Sequence, residues 1–171
     1  MGAEKHLVYL GLGSNLGDRE THILKAVALI AERVGCVVRQ SSLVETEPWG
    51  FESDNRFLNA VILCETTLAP RDVLLATQQI ERDMGRKKKS VNGKSVNGKS
   101  VNGKSVNGKS VNGKSVNGKS VNPVYSDRPI DIDILLYDRI TIDEPDLQIP
   151  HPLMRERDFV MIPLREICEE L

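Results

Sequence analysis

Asp131-Ile132-Asp133 lies inside the apolar run from Ile130 to Leu135. In an extended strand successive side chains point to opposite faces, so Asp131 and Asp133 share one face while Ile130, Ile132 and Ile134 share the other. Two carboxylates about 6–7 Å apart along a strand repel each other unless something cationic lies between them. A hard divalent cation such as Mg²⁺ suits that spacing, above all when substrate phosphates complete its shell. The same alternation also fits a solvated acidic face on an amphipathic strand, and D-x-D is short and common. Arg128, three residues upstream, offers a guanidinium fork for phosphate oxygens or a structural partner for Asp131. Downstream, Pro150-His151-Pro152 holds a histidine in extended backbone, with Arg155, Arg157 and Phe159 close behind. Alone, such a histidine is more often a loop residue than a catalyst.

Glu47-Pro48-Trp49-Gly50-Phe51 puts the chain's one tryptophan in a polar loop, and alternation in Phe57-Leu58-Asn59 puts Phe57 and Asn59 on one face. An aromatic ring beside a primary amide can hold a flat heterocycle, by stacking on its plane and hydrogen bonding at its edge. Trp49 as a core lid and Asn59 as a sheet-edge residue fit the same letters.

Gly93 to Ser100 spells the phosphate-loop pattern G-x-x-x-x-G-K-[ST], and the spelling recurs along the following repeat. A working phosphate loop follows a buried strand and opens a helix, whose fixed N–H groups point at the anion. Here Arg86-Lys87-Lys88-Lys89 precedes it and no helical pattern follows. The motif arises because Ser90 to Lys119 is six copies of Ser-Val-Asn-Gly-Lys, whose period equals the glycine spacing of the pattern. With one apolar residue in five, the segment cannot bury enough surface to offset chain entropy and is expected to be disordered or a mobile loop.

Residues 86–126 carry Arg86 and nine lysines and no acid, so a chain of net charge −1 is a basic arm on a body of −11. No aromatic is interleaved with the lysines, which argues against base stacking, and the acidic body would repel a phosphate backbone. No nucleic-acid partner is expected. Without the repeat, about 140 residues remain, enough for one domain with its own core. Cys36, Cys64 and Cys168 are odd in number and lack metal spacing; Cys36 and Cys64 are expected as core residues in a reducing cytoplasm. No signal-peptide pattern and no run near 20 apolar residues occurs, so no membrane span is expected.

The elements that must position these residues alternate along the chain. His6 to Leu12 reads as a strand. Ile23, Ala26, Val27, Ile30 and Val34 recur at helical spacing behind Asp18 as N-cap. Cys36 to Val44 is β-rich, Glu45 to Asn55 reads as a loop, and Phe57 to Leu63 as another strand. Pro70 opens a helix traced by Val73, Leu74, Thr77, Ile80 and Met84 and ended by Gly85. Ile130 to Tyr137 is the last strand. The order β-α-β-β-α-β predicts an α+β, ferredoxin-like split βαβ fold: a mainly antiparallel sheet with helices on one face. The expected organisation is a single domain over 1–171, with the basic loop of 87–126 inserted before the last core strand.

Together Gly13-Ser14-Asn15-Leu16-Gly17, Thr46-Glu47-Pro48, Phe57-Leu58-Asn59-Ala60, Glu81 through Arg86, Arg128 through Leu135, and Pro150-His151-Pro152 through Phe159 resemble the 6-hydroxymethyl-7,8-dihydropterin pyrophosphokinase family. Six such pieces in order cover nearly all of the chain outside the repeat. The resemblance implies transfer of pyrophosphate from ATP to the pterin hydroxymethyl group with release of AMP, in folate biosynthesis. It implies two Mg²⁺ ions on Asp131 and Asp133, which together with Arg128 form the catalytic set. ATP would meet Gln78, Glu81, Lys88, Arg128, His151 and Arg157. The pterin would lie between Phe57 and Phe159, near Thr46, Glu47, Trp49 and Asn59. A cytoplasmic monomer acting on small molecules is the expected form.

The chain departs from the family's pattern between Gly85 and the Asp131 strand, where the family has a loop that closes over substrates. Lys88 stands where an arginine is often found, and Tyr125 falls near the place of a tryptophan. Lysine supplies charge without the guanidinium fork. Two other classes therefore stand beside the enzyme: a catalytically impaired pterin- or nucleotide-binding module, and an interaction protein using the lysine-rich arm.

Overall fold

The computed structural model describes residues 4–47, 56–85, 90–91, 94–95 and 128–168. The chain divides into two compact units, residues 1–86 with 127–171, and residues 87–126. In the second, Ser90–Val91 (β5) pairs antiparallel with Lys94–Ser95 (β6). The rest of the repeat, and the expectation of its disorder, lie outside the described residues, as do Trp49, Lys88 and Tyr125.

The first unit is built on one sheet of antiparallel pairs. Its strands are His6–Ser14 (β1), Gly35–Gln40 (β2), Val44–Thr46 (β3), Phe57–Thr66 (β4) and Asp131–Tyr137 (β7). They lie in the order β2-β4-β1-β7, with β3 also paired to β4. Even-numbered residues of β1 and β4 (Val8, Leu10, Leu12, Ala60, Ile62 and Cys64) join Ile132 and Ile134 in the main core. Helix α1 (Arg19–Arg33) closes that core with Ile23, Ala26 and Ile30, and helix α2 (Pro70–Asp83) with Val73, Leu74 and Ile80. Each such side chain contributes roughly 1.5–3 kcal/mol by leaving water.

Local chemistry sets the helix ends. The Asp18 carboxylate accepts the Thr21 N–H at 3.2 Å, which caps α1. Hydrogen bonding from Thr21, by its side chain first and its N–H second, holds the Asp18 carboxyl below its ordinary value. A depressed carboxyl stabilises the fold above its unfolded value, near pH 4, and loses that contribution as pH falls through the folded value. Asp18→Ala is therefore expected to lower the thermal midpoint near neutral pH. Its difference from wild type should shrink steadily below about pH 4, which melts across pH would show. α2 starts on Pro70, where the missing N–H costs nothing, and ends before Gly85 at φ 105°.

The structure corrects the sequence reading in four places. Helix α3 (Asp158–Ile167) was not expected, because Pro163 inside it reads as a break. α3 packs on the opposite face of the sheet through Val160, Met161, Leu164 and Ile167 against Val61, Leu63 and Leu135, so the helices occupy both faces. Glu45 and Thr46, expected in the loop, belong with Val44 to a strand, because their polar letters still fit a ladder beside Phe57 and Leu58. Cys36 is exposed, since alternation in the edge strand β2 turns Cys36 and Val38 outward, whereas Cys64 is in the core and burial pushes its thiol up to about 11. Finally, Ile142–Glu144 (β8) and Leu147–Ile149 (β9) form a hairpin that the sequence reading passed over. Arg71 in the first turn of α2 pins it by pairing with Glu144 and, at 2.9 Å, with Asp146. Among the described residues, no helix is long and apolar enough to cross a membrane.

Candidate active site

β7 is the last strand in the sheet order, and Asp131, Asp133 and Leu135 lie on its α3 side before a bulge turns Tyr137 to the main core. Register places Asp131 opposite Gly13 and Asp133 opposite Gly11 on β1. On the other flank of β1, Gly13 faces Asn59 and Gly11 faces Val61. Val44, Asn59, Gly13 and Asp131 thus form one row across four strands. Gly13 leaves the middle of this row without a side chain, as Gly11 does in the next row between Val61 and Asp133. A Cβ on Gly13 would sit 3.2 Å from Asn59 Oδ1 and 3.5 Å from the Phe57 ring.

At one end of this floor, Asn59 Nδ2 donates to Thr46 Oγ1 at 2.9 Å and to the Val44 carbonyl at 3.2 Å. β3 thereby fixes the amide plane with its oxygen toward Gly13. Phe57 is 9 % exposed, and the Arg128 guanidinium carbon lies 5.3 Å from its ring centroid, a cation–π contact.

Arg128 is fastened through its backbone. Its N–H donates to Asn15 Oδ1 at 2.7 Å, and its carbonyl accepts from the Asn15 N–H at 3.1 Å. Its side chain lies 3.6 Å from Asp131 Oδ2. Arg157 is as deeply buried, with its guanidinium carbon 5.6 Å from the half-buried Phe159 ring. Desolvated guanidinium groups are costly unless anions accompany them, and Arg128, 6 % exposed, has the Asp131 carboxylate for that role.

The remaining expected residues are placed as follows. His151 is half-buried. Its N–H donates to the Leu135 carbonyl on the outer edge of β7 at 3.0 Å, and its Nδ1 accepts from Leu153 at 3.3 Å. The neutral ring then carries its proton on Nε2. Thr46 is tied to Asn59, and the exposed Glu47 is paired with Arg56 at 2.6 Å. Gln78 is half-buried on α2. Glu81, one turn on, is 2 % exposed, and its Oε2 accepts the Ile132 N–H at 2.7 Å.

Sequence reading missed Arg19 as a member of this region. It bonds Glu45 at 2.8 Å and the Arg56 carbonyl at 2.9 Å, so the start of α1 ties the end of β3 to the start of β4. No local signal marks it, because its partners are 26 and 37 residues away. Among the described residues no cluster of three or more His, Cys, Asp or Glu side chains could hold a metal by itself. The carboxylate pair can bind a hard cation only if water or a ligand's oxygens complete the shell, as Mg²⁺ in phosphate chemistry prefers.

An α+β sheet with paired carboxylates and a buried arginine at one edge, and an aromatic–amide pair two strands away, is a candidate transferase site. Residues 9–97 and 110–169 match the family described as 7,8-dihydro-6-hydroxymethylpterin-pyrophosphokinase (HPPK). A Porphyromonas gingivalis protein named 2-amino-4-hydroxy-6-hydroxymethyldihydropteridine pyrophosphokinase is 42% identical over 163 residues, 95% of this chain and 90% of that one. The Bacillus subtilis protein of the same name is 35% identical over 167 residues, 97% and 80% of the two chains. The chain belongs to the HPPK family. In fold it is similar to an HPPK-DHPS solved in complex with substrates, at TM-score 0.62 and 15% identity, and to Plasmodium falciparum HPPK-DHPS at 0.63 and 15%. It covers 96% and 97% of itself in these matches and spans 40% and 42% of those longer chains.

Proposed function

We propose that the chain transfers pyrophosphate from ATP to the hydroxymethyl group of 6-hydroxymethyl-7,8-dihydropterin and releases AMP. The observation that supports this most is the register that sets Asn59 and Asp131 on either side of Gly13, whose missing side chain leaves room beside Asn59 and Phe57. The pterin lies on that floor against Phe57 and Phe159, its edge read by Asn59 and by groups near Thr46, Glu47 and Trp49, and its hydroxymethyl arm directed toward β7. Arg128, His151 and Arg157 hold the phosphates, and Gln78 lines the nucleotide side. The hydroxyl oxygen attacks the β-phosphorus, the bond from that phosphorus to the α–β bridging oxygen breaks, and AMP leaves with that oxygen. Asp131 is the nearest carboxylate to the acceptor and takes its proton. Asp131 and Asp133 also fit two Mg²⁺ ions, which when bound neutralise the triphosphate. The rest of the catalysis is positioning by a rigid strand. The same reading makes the protein a cytoplasmic monomer that acts on small molecules and has no nucleic-acid partner.

A coupled assay for AMP tests this. AMP should form only when ATP, Mg²⁺ and the dihydropterin alcohol are all present; ADP in place of AMP would overturn it. Binding of both ligands without AMP would instead favour a catalytically impaired module, a reading motivated by Lys88 in place of the expected arginine.

Shortening the repeat to one copy should leave ATP affinity largely intact and change turnover. Loop-closure entropy grows slowly, so the difference between ~10 and ~40 residues is only about 1.2 kcal/mol. Calorimetric titration of the shortened protein with an ATP analogue checks this, and loss of binding would contradict it.

A further inference from the structure

Glu81 puts a carboxylate on the face of α2 that otherwise buries Val73, Leu74, Thr77 and Ile80. A carboxylate so deeply withdrawn from water costs several kcal/mol unless strong donors meet it. One donor is the Ile132 N–H at 2.7 Å. Ile132 is the middle residue of Asp131-Ile132-Asp133. Its side chain turns toward the helices, and its N–H points outward from the strand that ends the sheet order. A backbone N–H given to an ionised carboxylate makes one of the stronger hydrogen bonds in proteins. Farther along the same edge, the His151 N–H is bonded to the Leu135 carbonyl. The two attachments bracket Asp133. On the inner edge, the β1 ladder holds the same three residues against Gly13, Leu12 and Gly11.

We infer that Glu81 is a positioning residue: from behind the sheet it fixes the peptide between the two aspartates, and so sets the mutual orientation of their carboxylates for a divalent cation. On this inference Glu81 acts on ATP through that strand, in place of the direct contact that the resemblance implies. In relevance to catalysis this rests on the pyrophosphokinase reading; in geometry it does not. Partners that orient a metal's ligands typically govern 10–100-fold in metal affinity.

The test uses Glu81→Met, which keeps length and apolar fit but removes the acceptor, and Glu81→Gln, which keeps an accepting oxygen without the charge. The first readout needs neither metal nor nucleotide: hydrogen exchange at the Ile132 amide, followed by NMR. Exchange should be fastest in E81M and intermediate in E81Q. The second readout is Mn²⁺ affinity in the presence of a non-hydrolysable ATP analogue, measured by electron paramagnetic resonance. It should fall about 10–100-fold in E81M and less in E81Q, while affinity for the metal-free analogue stays unchanged. If Ile132 protection and Mn²⁺ affinity hold in both variants, the proposal is overturned; loss of metal-free analogue binding at unchanged protection overturns it too. Should E81M fail to fold, E81Q alone decides on the same readouts. Altered exchange and Mn²⁺ affinity in a protein that never releases AMP would uphold this inference and refute the proposed reaction.

Discussion

Asp133→Ala is expected to lower AMP release at least about 1,000-fold while leaving the thermal midpoint within a few degrees of wild type. A thousandfold loss is about 4 kcal/mol of transition-state stabilisation, the scale expected when a group facing developing phosphate charge is removed. Asp133 stands opposite Gly11, so its truncation leaves the floor open and the ladder between β1 and β7 intact, because that ladder is made of backbone groups. The outcome separates chemistry from folding: circular dichroism reports the fold, and the AMP assay reports the reaction. Turnover within tenfold of wild type would mean that the carboxylate pair does not carry the reaction.

The second large effect is on stability. Gly35 opens β2 opposite Thr66, at the corner where α1 hands the chain to the sheet. A Cβ there would lie 2.1 Å from the Glu65 carbonyl oxygen and 2.9 Å from the Thr66 Cα. Both are backbone atoms of a central strand, so no rotamer change relieves the clash. Gly35→Ala is expected to cost about 3–4 kcal/mol, an overpacking penalty at the severe end, read from the denaturant midpoint. Gly11→Ala is the control: the atoms nearest its Cβ would be those of the Leu135 side chain, at an ordinary 3.5 Å. The stability loss there should stay within about 1 kcal/mol. Equal losses at the two positions would show the register of β2 on β4 to be wrong. That register matters for the site, because a slip of β4 by one residue would turn Phe57 and Asn59 to the other face.

Local periodicity made much of this legible. Ile23, Ala26 and Ile30 marked α1, Pro70 and Gly85 bounded α2, and the alternation of Asp131, Ile132 and Asp133 placed two carboxylates opposite an apolar face. Three features were hidden for different physical reasons. α3 was masked by Pro163, whose missing N–H a ten-residue helix tolerates because Val160, Met161, Leu164 and Ile167 bury one stripe. Position 13 as the centre of the site depends on register with partners 46 and 118 residues away, which no local pattern encodes. Glu81 carries the letter of a solvated helix residue, and only the approach of α2 to the last strand shows the peptide it holds.

The bare row between Asn59 and Asp131 also acts as a ruler. Its length is two interstrand steps, about 10 Å, and backbone hydrogen bonding sets each step. Exchanging side chains alters what is gripped at either end without moving the ends. A bicyclic ring whose alcohol arm is one carbon longer would carry its oxygen past the carboxylates, and no repacking of Phe57 or Phe159 would bring it back.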